Sequence, residues 1–161
     1  MSFEIELARV AVRPVLVFDP SPTGVATVQA LPEIDNLTFF PVGMAAETGV
    51  VEFSVPRDAG EGSYSVAQDD LEKVSFECWS LKTIMDQRGD TAIDLLKMDI
   101  EGFEYDIIEQ MLDEGIRVRQ LCVELHPWLR PGRTRPLMKR LRKARYRIIY
   151  KHHGDYTFLL R

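Results

Sequence analysis

The stretch Leu95–Tyr105, LLKMDIEGFEY, constrains the fold of this chain more than any other. An apolar run from Ile93 to Ile100, broken by Asp94 and Lys97, leads into Asp99, Glu101 and Glu104 grouped around Gly102. Tyr105, Ile108, Met111 and Leu112 follow at three- and four-residue spacings, the period of a helix with one apolar face. The expected local structure is strand, turn, helix. In open α/β sheets such a turn lies at the carboxyl ends of the strands, where ligands bind.

The rest of the chain alternates in the same way. Ser2–Val12 reads as an amphipathic helix stopped by Arg13-Pro14, and Val15–Phe18 as a short, wholly apolar strand. Ser21-Pro22 is an N-cap with proline at the first helical position, opening a weak helix to about Leu31. Strands are expected over Leu37–Val42, Val50–Val55 and, at an edge, Val74–Trp79, with Asp58–Ser65 as a loop suited to a lid. Ser80 caps a helix over Leu81–Arg88, and Gly115 closes the helix after the central strand. Gln120–Leu125 is a strand ending at His126-Pro127. Pro131–Pro136 is a turn-rich link, Leu137–Ala144 a basic helix, and Tyr146–Tyr150 with Tyr156–Leu160 a hairpin. This order predicts one domain over residues 1–161, an α/β fold with a mostly parallel open sheet, helices on both faces and an antiparallel C-terminal hairpin.

Several polar residues stand where chemistry is possible. Asp19 ends the first strand and can accept ribose hydroxyls, although Asp-Pro-Ser-Pro is equally good turn chemistry. Asp99 and Glu101, two apart at a strand end, point to one side; they can bind a hard cation or take a proton from a hydroxyl. Glu104 falls in the first turn of a helix, where its charge favours the positive end of the dipole, and it is read that way rather than as functional. Glu124 is a polar group in an apolar strand and needs a partner. His126 follows it at the same rim as Asp99, as a base, a metal ligand or a residue packed on Trp128. His152 and His153 fall in a hairpin turn and read as solvated.

Composition narrows the partners. The net charge is −5, so no global field draws nucleic acid, yet ten of the twenty Lys and Arg lie between Arg130 and Lys151. The basic helix is read as a wet face, with a phosphate-rich partner as the lesser alternative. Cys78 and Cys122 have neither metal nor redox spacing, which fits reduced thiols and a cytoplasmic protein. No apolar run reaches the length of a membrane span.

Three stretches together resemble the FkbM-type methyltransferases, a branch of the S-adenosylmethionine-dependent Rossmann-like enzymes. They are VFDPSP at Val17–Pro22, PVGM at Pro41–Met44 with GVVEF at Gly49–Phe53, and LKMDIEGFEY at Leu96–Tyr105 with VELH at Val123–His126. The resemblance implies S-adenosylmethionine as methyl donor, held by Asp19 at its ribose with Ser21 in the same motif, and bordered at its adenine by Gly43 and Met44. It implies Asp99 and Glu101 facing the methyl and the acceptor, with His126 or a carboxylate as proton acceptor and no residue assigned to a metal. The expected reaction is O-methylation of a small molecule or sugar hydroxyl; a homo-oligomer is compatible with it. Family members open with a strand and a glycine-rich turn, whereas Ser2 already corresponds to the helix after that turn. The strands ending at Asp19 and Asp99 are therefore expected to lose a shared ladder partner, and donor affinity to be poor. The alternatives are a non-catalytic module acting through a partner, by its basic helix or an unpaired sheet edge, and a metal-dependent α/β hydrolase using Asp99, Glu101 and His126.

Overall fold

The computed structural model describes residues 2–57, 63–66, 68 and 70–161. Most of the expected lid loop, Asp58–Ser65, lies outside the described residues. The helices are α1 (Ser2–Val10), α2 (Pro22–Gln29), α3 (Leu81–Arg88), α4 (Glu104–Asp113) and α5 (Thr134–Lys143). The strands are β1 (Val15–Phe18), β2 (Leu37–Phe40), β3 (Gly43–Met44), β4 (Gly49–Ser54), β5 (Ser65–Val66), β6 (Lys73–Trp79), β7 (Ile93–Met98), β8 (Val118–Glu124), β9 (Tyr146–His152) and β10 (Asp155–Leu160).

Local chemistry accounts for most boundaries. Ser21 Oγ accepts from Gly24 N at 2.9 Å and Ser80 Oγ from Thr83 N at 3.1 Å, so both expected caps form. Gly89 (φ 70°) ends α3 in the left-handed conformation that glycine adopts without strain. Asn36 Nδ2 donates to the carbonyls of Ala8, Ala11 and Arg13, which closes the end of α1 from a distant part of the chain.

The strands form mixed sheets, which corrects the expectation of a mostly parallel one. In the four-stranded sheet β7-β8-β10-β9, only β7–β8 is parallel; β10 runs antiparallel to both β8 and β9. A second sheet, β3-β6-β4-β5, has parallel β3–β6 but antiparallel β4–β6 and β4–β5. The parallel pair β1–β2 stands apart. For β9 and β10 the reason is connectivity: only His153 and Gly154 separate them, and so short a connection gives antiparallel neighbours. β6 is paired with β3 on one side and β4 on the other, so it is not the edge strand expected of Val74–Trp79.

Among the described residues β1 pairs only with β2, and β7 only with β8. Side chains bridge the two units instead: Lys97 Nζ lies 3.3 Å from Glu4 Oε1 and 5.8 Å from the Phe3 ring, and Arg13 Nε lies 3.3 Å from Asp94 Oδ2. The core sits where α4 and α5 cover the β7–β10 sheet. Tyr105, Ile107, Ile108 and Met111 of α4 and Leu137 and Leu141 of α5 pack in one buried cluster with Val118, Leu121 and Phe158. That rigid layer holds the tips of β7 and β8 in place.

Candidate active site

β7 and β8 run parallel and in register, Met98 beside Val123, so the chain emerging from each carries its next residues to a common rim. Asp99, Ile100, Glu101 and Gly102 follow β7; Leu125 and His126 follow β8. The turn after β7 is sharp. Glu101 takes a left-handed conformation (φ 51°), which a side-chain-bearing residue adopts only when its surroundings impose it, and Gly102 follows at φ 103°. A Cβ on Gly102 would stand 3.1 Å from Val66 Cγ2, so both backbone angle and space call for glycine there. Val66 N donates to Glu101 O at 3.1 Å and ties β5 to the same turn.

Glu104 organises the site, although its sequence position suggests only a helix-dipole role. Its side chain has no exposure. Oε1 accepts from Ile100 N at 2.9 Å, and Oε2 from Gly102 N at 2.9 Å. Oε1 also lies 2.8 Å from His126 Nδ1. A buried carboxylate is tolerable only with such partners. The pairing makes Nδ1 the donor and leaves Nε2 as the free face of the ring. The sequence did hold a signal: Glu104, Ile108 and Met111 share one helical face, and that face is the buried one.

His126 is 3% exposed, and its Nε2 lies 3.4 Å from Glu101 Oε2 and 3.7 Å from Asp99 Oδ1. These three ligand-capable atoms fall within 4.8 Å of one another. Burial pulls the imidazole pKa down, but the hydrogen bond to Glu104 and the charges of Glu104, Glu101 and Asp99 outweigh it, so the net shift is upward. Glu124, partly buried one ladder step away, has its pKa raised by burial and then by the charges of Asp99 and Asp155. The Trp128 ring meets His126 edge-on at 5.1 Å between centroids and is 66% exposed. Arg130 Nε donates to Gly102 O at 3.1 Å, and Arg130 and Arg133 both reach Asp106, which ties the loop after His126 to the start of α4.

The sequence-predicted site residues form two groups. Asp99, Glu101 and His126 converge as described. Asp19, Ser21, Gly43 and Met44 gather at the ends of β1 and β3. Asp19 Oδ1 accepts from Ser21 N at 2.8 Å, so Asp19 forms the turn that its Asp-Pro-Ser-Pro context allows. Its Oδ2 makes no hydrogen bond among the described residues. Gly24 leaves room for this carboxylate: a Cβ there would lie 2.1 Å from Oδ2. Gly43 packs against Pro20 and Cys78, and Met44 pairs with Trp79, whose ring meets Phe18 and Phe40. Among the described residues no hydrogen bond, ion pair or ring contact joins the two groups. His152, the last residue of β9, and His153, in the turn after it, are exposed, as expected.

Carboxylates and an oriented imidazole at the tips of adjacent parallel strands define an α/β protein whose chemistry sits at the carboxyl rim of its sheet. The particular family is the FkbM methyltransferases: residues 9–148 match the methyltransferase FkbM domain, and the chain belongs to that family. The matched stretch contains both groups of site residues, from Asp19 to His126. No curated protein and no solved structure gives a match. Among the described residues no helix is long and apolar enough to cross a membrane.

Proposed function

We propose that this methyltransferase uses S-adenosylmethionine to methylate a hydroxyl oxygen of a small molecule or sugar. The carrying observation is the convergence of Asp99, Glu101 and His126 at the rim formed by β7 and β8, in a chain of methyltransferase family. The donor supplies a methyl carbon on a positively charged sulfur; as the acceptor oxygen bonds to that carbon the carbon–sulfur bond breaks and S-adenosylhomocysteine leaves.

The chain's own residues hold and orient the reactants. Asp19 keeps Oδ2 free for one ribose hydroxyl while Oδ1 stays on Ser21 N. Ser21, Gly43 and Met44 line the ground beside it. Asp99 and Glu101 set negative charge against the sulfonium side of the reaction. The acceptor's hydroxyl proton passes to the Asp99–Glu101–His126 cluster, a contribution of about 10²–10⁴-fold for a positioned proton acceptor. Positioning supplies the rest. The exposed Trp128 indole beside the cluster offers a flat apolar face to a sugar ring.

Calorimetric titration with S-adenosylmethionine up to millimolar concentration tests this reading. Saturable binding that Asp19→Ala weakens is expected, because Asp19 Oδ2 is the oxygen proposed to hold the ribose. No heat at millimolar donor would count against it.

A further inference from the structure

We propose that Asp99, Glu101 and His126 form a binding site for one first-row divalent transition ion, of the Mn²⁺ or Zn²⁺ kind. The assignment rests on the geometry and charge of the cluster and stands or falls separately from methyl transfer.

The three atoms stand wider apart than hydrogen-bond donors and acceptors do, yet within 4.8 Å of one another. Nε2 lies 3.4 Å from Glu101 Oε2 and 3.7 Å from Asp99 Oδ1 and makes no hydrogen bond to either. Ligands held about 2.1 Å from an ion stand about 3.0 Å apart in octahedral and about 3.4 Å apart in tetrahedral geometry. A small inward movement of two side chains brings all three atoms to those distances.

The imidazole is built for ligation. It is 96% buried by side chain, and its Nε2 is aimed between the two carboxylates without a hydrogen bond among the described residues. Its Nδ1 is bound to Glu104, which is itself pinned by two backbone N–H groups. A histidine fixed through its second nitrogen to a buried carboxylate is the usual support of a metal-bound imidazole. The left-handed backbone at Glu101 brings the third ligand round to the same point, a strained conformation that the turn maintains.

Charge points the same way. Asp99, Glu101, Glu104 and Glu124 crowd this rim, and no Lys or Arg among the described residues pairs with any of them. Arg130 and Arg133, which follow His126 in the chain, are engaged with Asp106, Glu109 and the Gly102 carbonyl. One imidazole cannot balance that field; a doubly charged ion can. One nitrogen with two carboxylate oxygens favours a transition ion over Ca²⁺ or Mg²⁺, since hard ions take oxygen almost exclusively. Asp99 is 48% exposed, so the coordination sphere opens to solvent on its side. If the proposed methyl transfer holds, an acceptor hydroxyl bound there is acidified by the ion. Its proton then leaves through the unligated oxygen of Asp99, and His126 serves as ligand.

The test is titration of the chelator-treated chain with Mn²⁺ and with Zn²⁺, followed by calorimetry and, for Mn²⁺, by electron paramagnetic resonance. One ion per chain is expected, lost in the double variant Asp99→Asn/Glu101→Gln and retained in His152→Ala/His153→Ala. Both ligand substitutions are on exposed or half-exposed side chains, and circular dichroism confirms that the variant is folded. Glu104→Gln should weaken the ion about 10–100-fold, the usual effect of losing the group behind a ligand histidine. Absence of binding at millimolar Mn²⁺ and Zn²⁺, unchanged affinity in the ligand double variant, or loss of all binding in the hairpin-histidine variant overturns the assignment. A donor titration on the same samples reports separately on methyl transfer.

Discussion

Replacing Glu104 is the sharpest test of how this site is held together. In Glu104→Gln the side-chain volume is preserved, so packing is nearly unchanged, but one oxygen becomes an NH₂. The amide oxygen can occupy the Oε1 position and continue to accept from Ile100 N and His126 Nδ1. The NH₂ then faces Gly102 N, which loses its acceptor and meets a second donor in a buried turn. A buried donor left unsatisfied costs about 1–3 kcal/mol. At roughly 2–4 °C per kcal/mol for a chain of this size, the melting temperature falls by about 2–12 °C. Glu104→Leu strands three donors at once, and breaking a buried charged network from one side costs about 3–5 kcal/mol. Urea unfolding followed by far-ultraviolet circular dichroism measures both, with unchanged slopes showing that the unfolded states are comparable. The expected order is wild type, then Gln, then Leu. If the Leu variant matched or exceeded wild type, desolvation of the carboxylate would outweigh its three hydrogen bonds, and Glu104 would not be the organiser described here.

Three further outcomes are expected. Gly24→Ala should destabilise the chain by about 1–2 kcal/mol despite alanine's better helix propensity, because the new Cβ, 2.1 Å from Asp19 Oδ2, displaces that carboxylate from Ser21 N; in an Asp19→Ala background the same change should stabilise, which a double-mutant cycle by urea melts would show. The Cys78 thiol, pushed up to about 11 by burial and the nearby Glu77 charge against a hydrogen bond from Gly43, should react with Ellman's reagent at pH 8 far more slowly than the partly exposed Cys122; because its folded value is raised, its contribution to stability is complete below pH 9.0 and is lost as pH climbs through about 11, and equal labelling rates for the two thiols would contradict this. Tyr146→Phe should cost about 1 kcal/mol, since the buried hydroxyl donates to Val118 O at 2.8 Å and accepts from Val118 N at 3.3 Å; a melting temperature unchanged from wild type would sink that account.

Much of the local architecture is legible in the chain. The apolar four-residue run Val15–Phe18, the Ser21-Pro22 and Ser80 caps, the Leu81–Arg88 helix and the strand–turn–helix around Asp99 all follow from short-range rules of capping, period and glycine placement. Asp99, Glu101 and His126 could be named for a similar reason: each stands within three residues of a strand end, and strand ends are visible in sequence. Sheet composition was not legible in this way. Whether β6 is an edge strand, and how many ladders run parallel, depends on which strands lie side by side, and pairing partners such as β3 and β6 are separated by long stretches of chain whose patterns are alike.

Glu104 marks the boundary most clearly. By itself the sequence determined that an acidic residue opens α4, and helix electrostatics explain it. Helical period also put it on the face of Ile108 and Met111, but only the tertiary structure decided that it satisfies two amides of the preceding turn and sets the face that His126 presents, because that role requires β8 to bring a residue against α4. The same holds for the convergence of the three ligand atoms within 4.8 Å. Residue types and strand ends are local properties, whereas the distance between two strand tips is set by the packed layer beneath them.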